Sequence, residues 1–364
     1  MPLVPPYVAS LTPYIPGKPT EEVEREYGIT GVAKLASNEN ALGPSPRALA
    51  AARDAAATVN QYPDGSAFYL RGALAAKLGV EPKEVFVGNG SNELIELLVR
   101  TFVLEGEEVL TSAQTFIAYK LAAQGHGRTL VEAPMKARFH YDLDGFRKLL
   151  SRRTKLVFLA NPDNPTGSSF TEQELLPFLD AVPKDTLVVL DEAYVEFVDA
   201  PGFQDSLALR RKYPNVVVLR TFSKIYGLAG LRLGYGLARP DVVEYIDRVR
   251  APFNVNLVAQ AAGVAALEDA EHVERSRALV REERPFLAEG LKALGATIVP
   301  PQGNFVFADF PGRPSKELFE ALLREGVVVR PMAGYGFPTA QRVTVGLRAE
   351  NQKCLAALAK VLGK

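Results

Sequence analysis

Four stretches of this 364-residue chain set reactive or polar side chains directly after short apolar runs. Residues 216–219 lead into Arg220-Thr221-Phe222-Ser223-Lys224, and residues 187–190 into Asp191-Glu192-Ala193-Tyr194. Residues 156–160 lead into Asn161-Pro162-Asp163-Asn164-Pro165-Thr166-Gly167, and residues 85–87 into Gly88-Asn89-Gly90-Ser91-Asn92. Taken singly, each has an ordinary explanation. A lysine is most often a solvated surface group, an aspartate after a strand caps a helix or pairs with a base, and Asn-Pro is a common turn former. The Gly-Asn-Gly-Ser-Asn-Glu loop matches neither a Walker loop nor GxGxxG. Together they bring an amine, a carboxylate, amide and phenol groups and a helix start to the carboxyl ends of strands, where open parallel sheets bind their ligands.

That set suits one cofactor, pyridoxal 5′-phosphate (PLP). Lys224 supplies an amine for a Schiff base with an aldehyde and a group that moves protons afterwards; its pKa should be lowered by burial and nearby positive charge. An aspartate such as Asp191 should face the pyridine nitrogen and hold it protonated, so that the ring accepts electrons. Asn164 and Tyr194 are candidates for the ring hydroxyl. A phosphate calls for backbone N–H groups at a helix start, hydroxyls and an arginine. Gly90, Ser91, Asn92, Ser223 and Arg232 offer these, and Phe116 is placed to stack on the ring.

The elements that must hold these groups alternate. Residues 48–59, 68–78, 93–102 and 172–179 read as helices by composition or spacing, and residues 85–87, 156–160, 187–190 and 216–219 as strands. The strands are short, β-branched and apolar on both faces, as in a buried parallel sheet. The alternation predicts an α/β domain with a mostly parallel central sheet. After Arg250-Ala251-Pro252-Phe253 the character changes. A long helical stretch at 257–294 is followed by strands at 305–308, 327–329 and 342–345, with helices at 316–324 and at the end, which predicts a smaller α+β domain. The first twenty residues, with Pro2, Pro5, Pro6, Pro13, Pro16 and Pro19, read as an extended arm lying on something apolar through Tyr7, Leu11, Tyr14 and Ile15.

Composition excludes other classes. Forty-two basic and 42 acidic side chains cancel, so the basic excess of a nucleic-acid protein is missing. Cys354, the single cysteine, has no intrachain partner, which fits a reducing cytoplasm. His126, His140 and His272 are far apart and carry no metal-ligand spacing. Met1-Pro2-Leu3-Val4-Pro5-Pro6 has neither the charged start nor the apolar run of a signal peptide, and no run of about eighteen apolar residues suggests a membrane span.

Ser223-Lys224-x-x-Gly227-Leu228-Ala229-Gly230-Leu231-Arg232-Leu233-Gly234 resembles the lysine signature of the class I/II, fold type I aminotransferases. Asn161 to Gly167 and Asp191 to Tyr194 resemble that family's other anchors, in the same order. Within it, five segments are most similar to the histidinol-phosphate aminotransferases: Leu11-Thr12-Pro13-Tyr14-x-Pro16-Gly17, Lys34-Leu35-Ala36-Ser37-Asn38-Glu39-Asn40-x-x-Gly43-Pro44-Ser45-Pro46, Tyr62-Pro63-Asp64-Gly65, Val329-Arg330-Pro331 and Arg342-Val343-Thr344-Val345-Gly346.

The resemblance implies a PLP-dependent transferase of fold type I. It implies an arm over residues 1–30, a large PLP-binding domain over 45–250 and a small domain from 31–44 and 251–364. It further implies a cytoplasmic homodimer that exchanges an amino group between glutamate and histidinol phosphate in histidine biosynthesis. By the same resemblance Lys224 is the Schiff-base lysine and Asp191 the pyridinium partner, with Asn164 and Tyr194 at the ring oxygen. Ser91, Asn92, Ser223 and Arg232 take the phosphate, and Tyr62 reaches the cofactor phosphate of the neighbouring subunit. Phe116 and Asn92 stand where relatives often have tyrosine and aspartate. Arg342 grips the substrate anion, Arg330 assists, and Tyr14 and Asn304 are further substrate-side candidates. Three rivals share the motifs: an aromatic amino-acid aminotransferase, a PLP lyase resembling threonine-phosphate decarboxylase, and a PLP-sensing regulatory module, for which the chain has neither the room nor the charge of a DNA-binding domain.

Overall fold

The computed structural model describes residues 3–12 and 18–364, the Arg138 side chain excepted. In chain order its strands are β1 (Ala33–Lys34), β2 (Val85–Gly88), β3 (Glu108–Ser112), β4 (Thr129–Ala133), β5 (Thr154–Ala160), β6 (Leu187–Asp191), β7 (Val216–Thr221), β8 (Gly234–Leu237), β9 (Thr297–Ile298), β10 (Phe305–Asp309), β11 (Val327–Val328), β12 (Arg330–Pro331) and β13 (Ala340–Thr344). Seven of them form one sheet in the order β2-β8-β7-β6-β5-β3-β4. Only β8 runs against the rest. The architecture is therefore α/β with a mostly parallel central sheet, as the alternation predicts.

The strand residues alternate between two cores. Val157, Leu159, Val188, Leu190, Val216 and Val218 pack on one face, and Leu156, Phe158, Leu187, Val189, Val217 and Leu219 on the other. Burial on both faces is why these strands read as continuous apolar runs. The register pairs Ala160 with Asp191 and Asp191 with Leu219. The Asn161 loop, Asp191 and the loop after β7 therefore leave the sheet along one rim. The helix Ser91–Phe102 starts on that rim as well. It buries Leu94, Ile95, Leu97, Leu98 and Val99. Each such side chain contributes about 1.5–3 kcal/mol, so packing rather than helix propensity holds this helix start in place.

A second sheet has the order β12-β13-β10-β9, and β1 pairs in parallel with β11. The expected strand at 327–329 is thus two strands in two sheets: the chain changes partners at Val329, pairing first with β1 and then with β13. The expected helical run at 257–294 is also divided. Leu257–Glu268 and Ala270–Ala293 meet at Asp269, whose carboxylate accepts the His272 N–H and caps the second helix. Strands β3, β4 and β8 escaped the sequence reading. β3 opens on Glu108, β4 is half-exposed and carries Glu132, and β8 has two glycines, all poor β signals. The proline-rich start is not wholly extended. Pro6–Ala9 makes one helical turn, because Pro6 sits at the first position, where no N–H is needed; Tyr7 there packs on Gly127. Helix Thr20–Tyr27 buries Val23 against Leu323 and Val328.

Gly227, three residues beyond Lys224, has φ +68°, and a Cβ there would lie 2.1 Å from the Gly43 carbonyl oxygen. This close approach docks residues 43–44 on the lysine loop. Gly227→Ala should cost at least the about 1–3 kcal/mol of a left-handed non-glycine residue. The expected result is a fall of several degrees in the thermal unfolding midpoint by circular dichroism. Gly230→Ala, whose Cβ would meet nothing within 4 Å, serves as the unchanged control.

Candidate active site

The rim of the large sheet and the second sheet enclose a pocket of about 280 Å³, close to the lower end of the usual range for small-molecule sites. Lys224, Asp191, Asn164, Tyr194 and Phe116 line it, as do Ser91, Asn92, Ser223 and Arg232. Arg330 and Arg342 enter from the β12–β13 side. Eleven side chains singled out by sequence therefore share one cavity.

Lys224 is its most perturbed base. Its Nζ donates to the Ser37 carbonyl oxygen at 3.2 Å and lies 5.6 Å from the Tyr194 ring centroid. Burial, reinforced by the charges of Arg342 and Arg232 and partly opposed by Glu39, lowers its pKa from the ordinary lysine value to about 7. Asp191 is the complementary acid. It accepts from the Tyr119 hydroxyl at 2.7 Å and the Ala193 N–H at 3.2 Å. Burial nonetheless pushes its pKa up to about 6. A buried carboxylate held by one phenol and one amide is suited to a cationic N–H donor from a ligand.

The loop carrying Asn164 is fixed from beneath by Asp163. One of its carboxylate oxygens accepts from the Thr115 hydroxyl at 2.6 Å, and the other from the Thr166 hydroxyl at 2.7 Å and N–H at 3.2 Å. Asn164 Oδ1 in turn accepts from Arg342 Nη1, while Arg342 Nη2 donates to the Ala36 carbonyl oxygen at 2.8 Å. At the opposite end, Gly90 has φ +82° and precedes the first turn of helix Ser91–Phe102, whose leading N–H groups have no intrahelical acceptor. A Cβ on Gly90 would lie 2.6 Å from Arg232 Nη2, so glycine lets the guanidinium close on the helix start. Ser223 completes a hydroxyl, backbone and arginine cradle for a phosphate.

Other assigned residues lie elsewhere. Tyr62 is outside this pocket, 83% exposed, and stacked on Phe253 with centroids 4.8 Å apart. Asn304, a substrate-side candidate in the sequence, is not among the residues that line this pocket. It is buried and donates its amide to the carbonyl oxygens of Asn38 and Glu39 at 3.1 and 3.2 Å, so it braces main chain instead. Tyr14 lies outside the described residues.

Sequence reasoning passed over Asn38, whose amide donates to the Tyr194 oxygen at 2.9 Å, and Tyr119, the donor to Asp191. It also missed Tyr335 on the pocket wall. Tyr119 lies inside the helix Ile117–Gly125 and has the sequence pattern of a helix core residue. Asn38 lay in a quoted motif, but nothing in its spacing tied it to Tyr194.

The donor set fits a phosphorylated pyridine aldehyde. There is an amine that loses its proton readily near neutrality for the aldehyde, a buried carboxylate for a pyridinium, hydroxyl and amide groups, and a phosphate cradle at a helix start. Among the described residues no group of three or more His, Cys, Asp or Glu side chains could hold a metal ion. None of their helices is long and apolar enough to cross a membrane.

Comparisons with known proteins agree with this chemistry. Residues 30–358 match the profile of the family described as aminotransferase class I and II. The histidinol-phosphate aminotransferase of Anaeromyxobacter sp. (strain Fw109-5) is 82% identical over 363 residues, covering 100% of both chains. That of Moorella thermoacetica is 46% identical over 356 residues, 98% of this chain and 92% of the relative. Among solved structures, histidinol-phosphate aminotransferase from Sinorhizobium meliloti in complex with pyridoxal-5′-phosphate superposes with a TM-score of 0.89 at 32% identity, covering 100% of this chain and 98% of that one. By its fold, its pocket and these full-length likenesses, the chain belongs to the class I and II aminotransferases, in the histidinol-phosphate aminotransferase family.

Proposed function

We propose that this protein is a cytoplasmic, PLP-dependent homodimeric aminotransferase of histidine biosynthesis. It moves an amino group from glutamate to imidazole-acetol phosphate, with 2-oxoglutarate and histidinol phosphate as products. One observation carries the cofactor reading: a buried lysine amine and a buried, cation-seeking carboxylate share a pocket that ends in a phosphate-type helix start.

When bound, PLP would supply an aldehyde carbon to take up the amino group and a protonated ring to accept the electron pair left as the substrate loses its α-hydrogen. Lys224 Nζ would hold the cofactor through its aldehyde group and, as a free amine, would take up and return a proton; a pKa near 7 suits that exchange in both directions. Asp191 would favour a protonated ring nitrogen. Asn164 and Tyr194 would hydrogen-bond the ring oxygen, and Phe116 would pack on the ring. Ser91, Asn92, Ser223 and Arg232 would hold the phosphate. Arg342, with Arg330 beside it, takes the α-carboxylate of glutamate and then the phosphate of the second substrate, since both anions present a pair of oxygens to a guanidinium fork. Tyr62, exposed outside this pocket, is assigned to the cofactor phosphate of a second copy.

Lys224→Ala should lower turnover by about a thousandfold or more, the scale of a lost general acid/base; full activity in that variant would refute the mechanism. Asp191→Asn cannot stabilise the ring cation, and kcat should fall by about a hundredfold to a thousandfold, as for one lost electrostatic partner in a buried site.

The pH dependence has a definite sign. Lys224 is neutral, and so nucleophilic, above about 7. The rate at which cofactor-free protein captures PLP, read as borohydride-fixed label on Lys224, should rise through pH about 7 rather than near the ordinary lysine value. For substrate identity, kcat/KM for histidinol phosphate with 2-oxoglutarate should exceed that for phenylalanine. The reverse preference would make the protein an aromatic amino-acid aminotransferase.

A further inference from the structure

Asn38 is almost completely buried, 1% exposed, and holds φ +53°, a left-handed conformation that asparagine tolerates better than most residues. Three hydrogen bonds hold it there. Its backbone N–H donates to Thr344 Oγ1 at 2.9 Å. The Thr344 hydroxyl, its oxygen already accepting that N–H, donates its one hydrogen to Asn38 Oδ1 at 3.2 Å. Asn304 donates to the Asn38 carbonyl oxygen at 3.1 Å. With Oδ1 committed to Thr344, the amide nitrogen is turned to Tyr194 and donates to its oxygen at 2.9 Å. A phenol has one hydrogen to give. Because the Tyr194 oxygen accepts from Asn38, its own hydrogen must go elsewhere, and Tyr194 lines the pocket. Thr344 ends β13, opposite Phe305 of β10, whose ring meets that of Tyr194 edge-on at 5.1 Å. The second sheet therefore sets both the ring and the hydroxyl of this tyrosine.

We infer that Asn38 is a positioning residue: clamped by Thr344 and Asn304, its amide directs the single Tyr194 hydrogen into the pocket, toward the ring oxygen of bound PLP. The inference rests on the proposed reading of Tyr194 as the partner of that oxygen. The charged and titratable groups around the Tyr194 hydroxyl are Asp191, Lys224, Arg342 and Tyr335, and none is altered by changes at position 38.

The test is a double-mutant cycle read on protein loaded with PLP, using the pH midpoint of its visible absorption change. A donor to the ring oxygen favours the anionic oxygen and holds that midpoint low. Asn38→Asp replaces the amide donor by a carboxylate that draws the Tyr194 hydrogen to itself, and both Asp and Gly accept the left-handed backbone. Tyr194→Phe and Asn38→Asp should each raise the midpoint by about one pH unit, the scale of one hydrogen bond to a charged oxygen. Asn38→Gly, which removes the donor without adding charge, should raise it by less. In the Tyr194→Phe background neither change at position 38 should move it further.

A rise that persists in the Phe background would be a general charge or packing effect and would overturn the inference. So would a midpoint unchanged in both Asn38 variants while Tyr194→Phe shifts, even if their thermal stability falls. If Tyr194→Phe itself leaves the midpoint unchanged, the reading of Tyr194 fails and the inference falls with it. PLP fixed on Lys224 by borohydride in every variant shows separately that the cofactor assignment stands.

Discussion

The structure turns on the burial of two ionisable groups that make no ion pair among the described residues. Lys224 has a backbone carbonyl for a partner rather than a carboxylate, and Asp191 has a phenol and an amide rather than a base. Desolvation drives the pKa of each toward its neutral form, the amine down to about 7 and the carboxylate up to about 6. Burying such groups is costly, and a ligand with a complementary cation and electrophile offsets the cost. The arginines sharpen it: Arg342 and Arg232 add positive charge around the Lys224 amine and disfavour its protonated form.

Holding these groups apart, yet in one cavity, is the work of the surrounding architecture. Parallel strands in register deliver Asp191, the Asn164 loop and the lysine loop to a single rim. The segment Ala36–Glu39 closes that rim from above, with the Ser37 carbonyl on Lys224 and the Asn38 amide on Tyr194. That segment is fastened on both sides. Asn40 donates to the Ile225 carbonyl, next to Lys224, and to Ser276 on the helix Ala270–Ala293. Ser45 donates to Asp269 at the joint between the two long helices. Gly43 lies against Gly227 so closely that no side chain fits between them. Residues far apart in the chain thus share one rigid wall, which suits a pocket that must align reacting atoms.

Much of this could be read before any coordinates. Strands buried on both faces announce themselves as apolar runs, and the residues just past them fall on a shared rim because parallel strands all end there. Lys224, Asp191, Asn164, Tyr194 and the Ser91 helix start were legible for that reason. Elements with weak local signals were not. The two-glycine strand Gly234–Leu237 and the exposed edge strand Thr129–Ala133 depend on pairing, and the change of sheet at Val329 depends on β1, almost three hundred residues earlier.

By itself the sequence determined which chemical groups are present, their order along the chain, and that an amine and a carboxylate should meet a phosphorylated ring. These follow from residue type and from short-range periodicity. Only the tertiary structure decided what surrounds them. Asn304, a substrate-side candidate in the sequence, donates to the main chain at Asn38, while Tyr119 and Asn38, which no local pattern singled out, hold Asp191 and Tyr194. The physical reason is that a hydrogen bond depends on positions in space to within a few tenths of an ångström. Between residues 156 apart in the chain, as Asn38 and Tyr194 are, those positions are set by packing of the whole fold and not by local sequence.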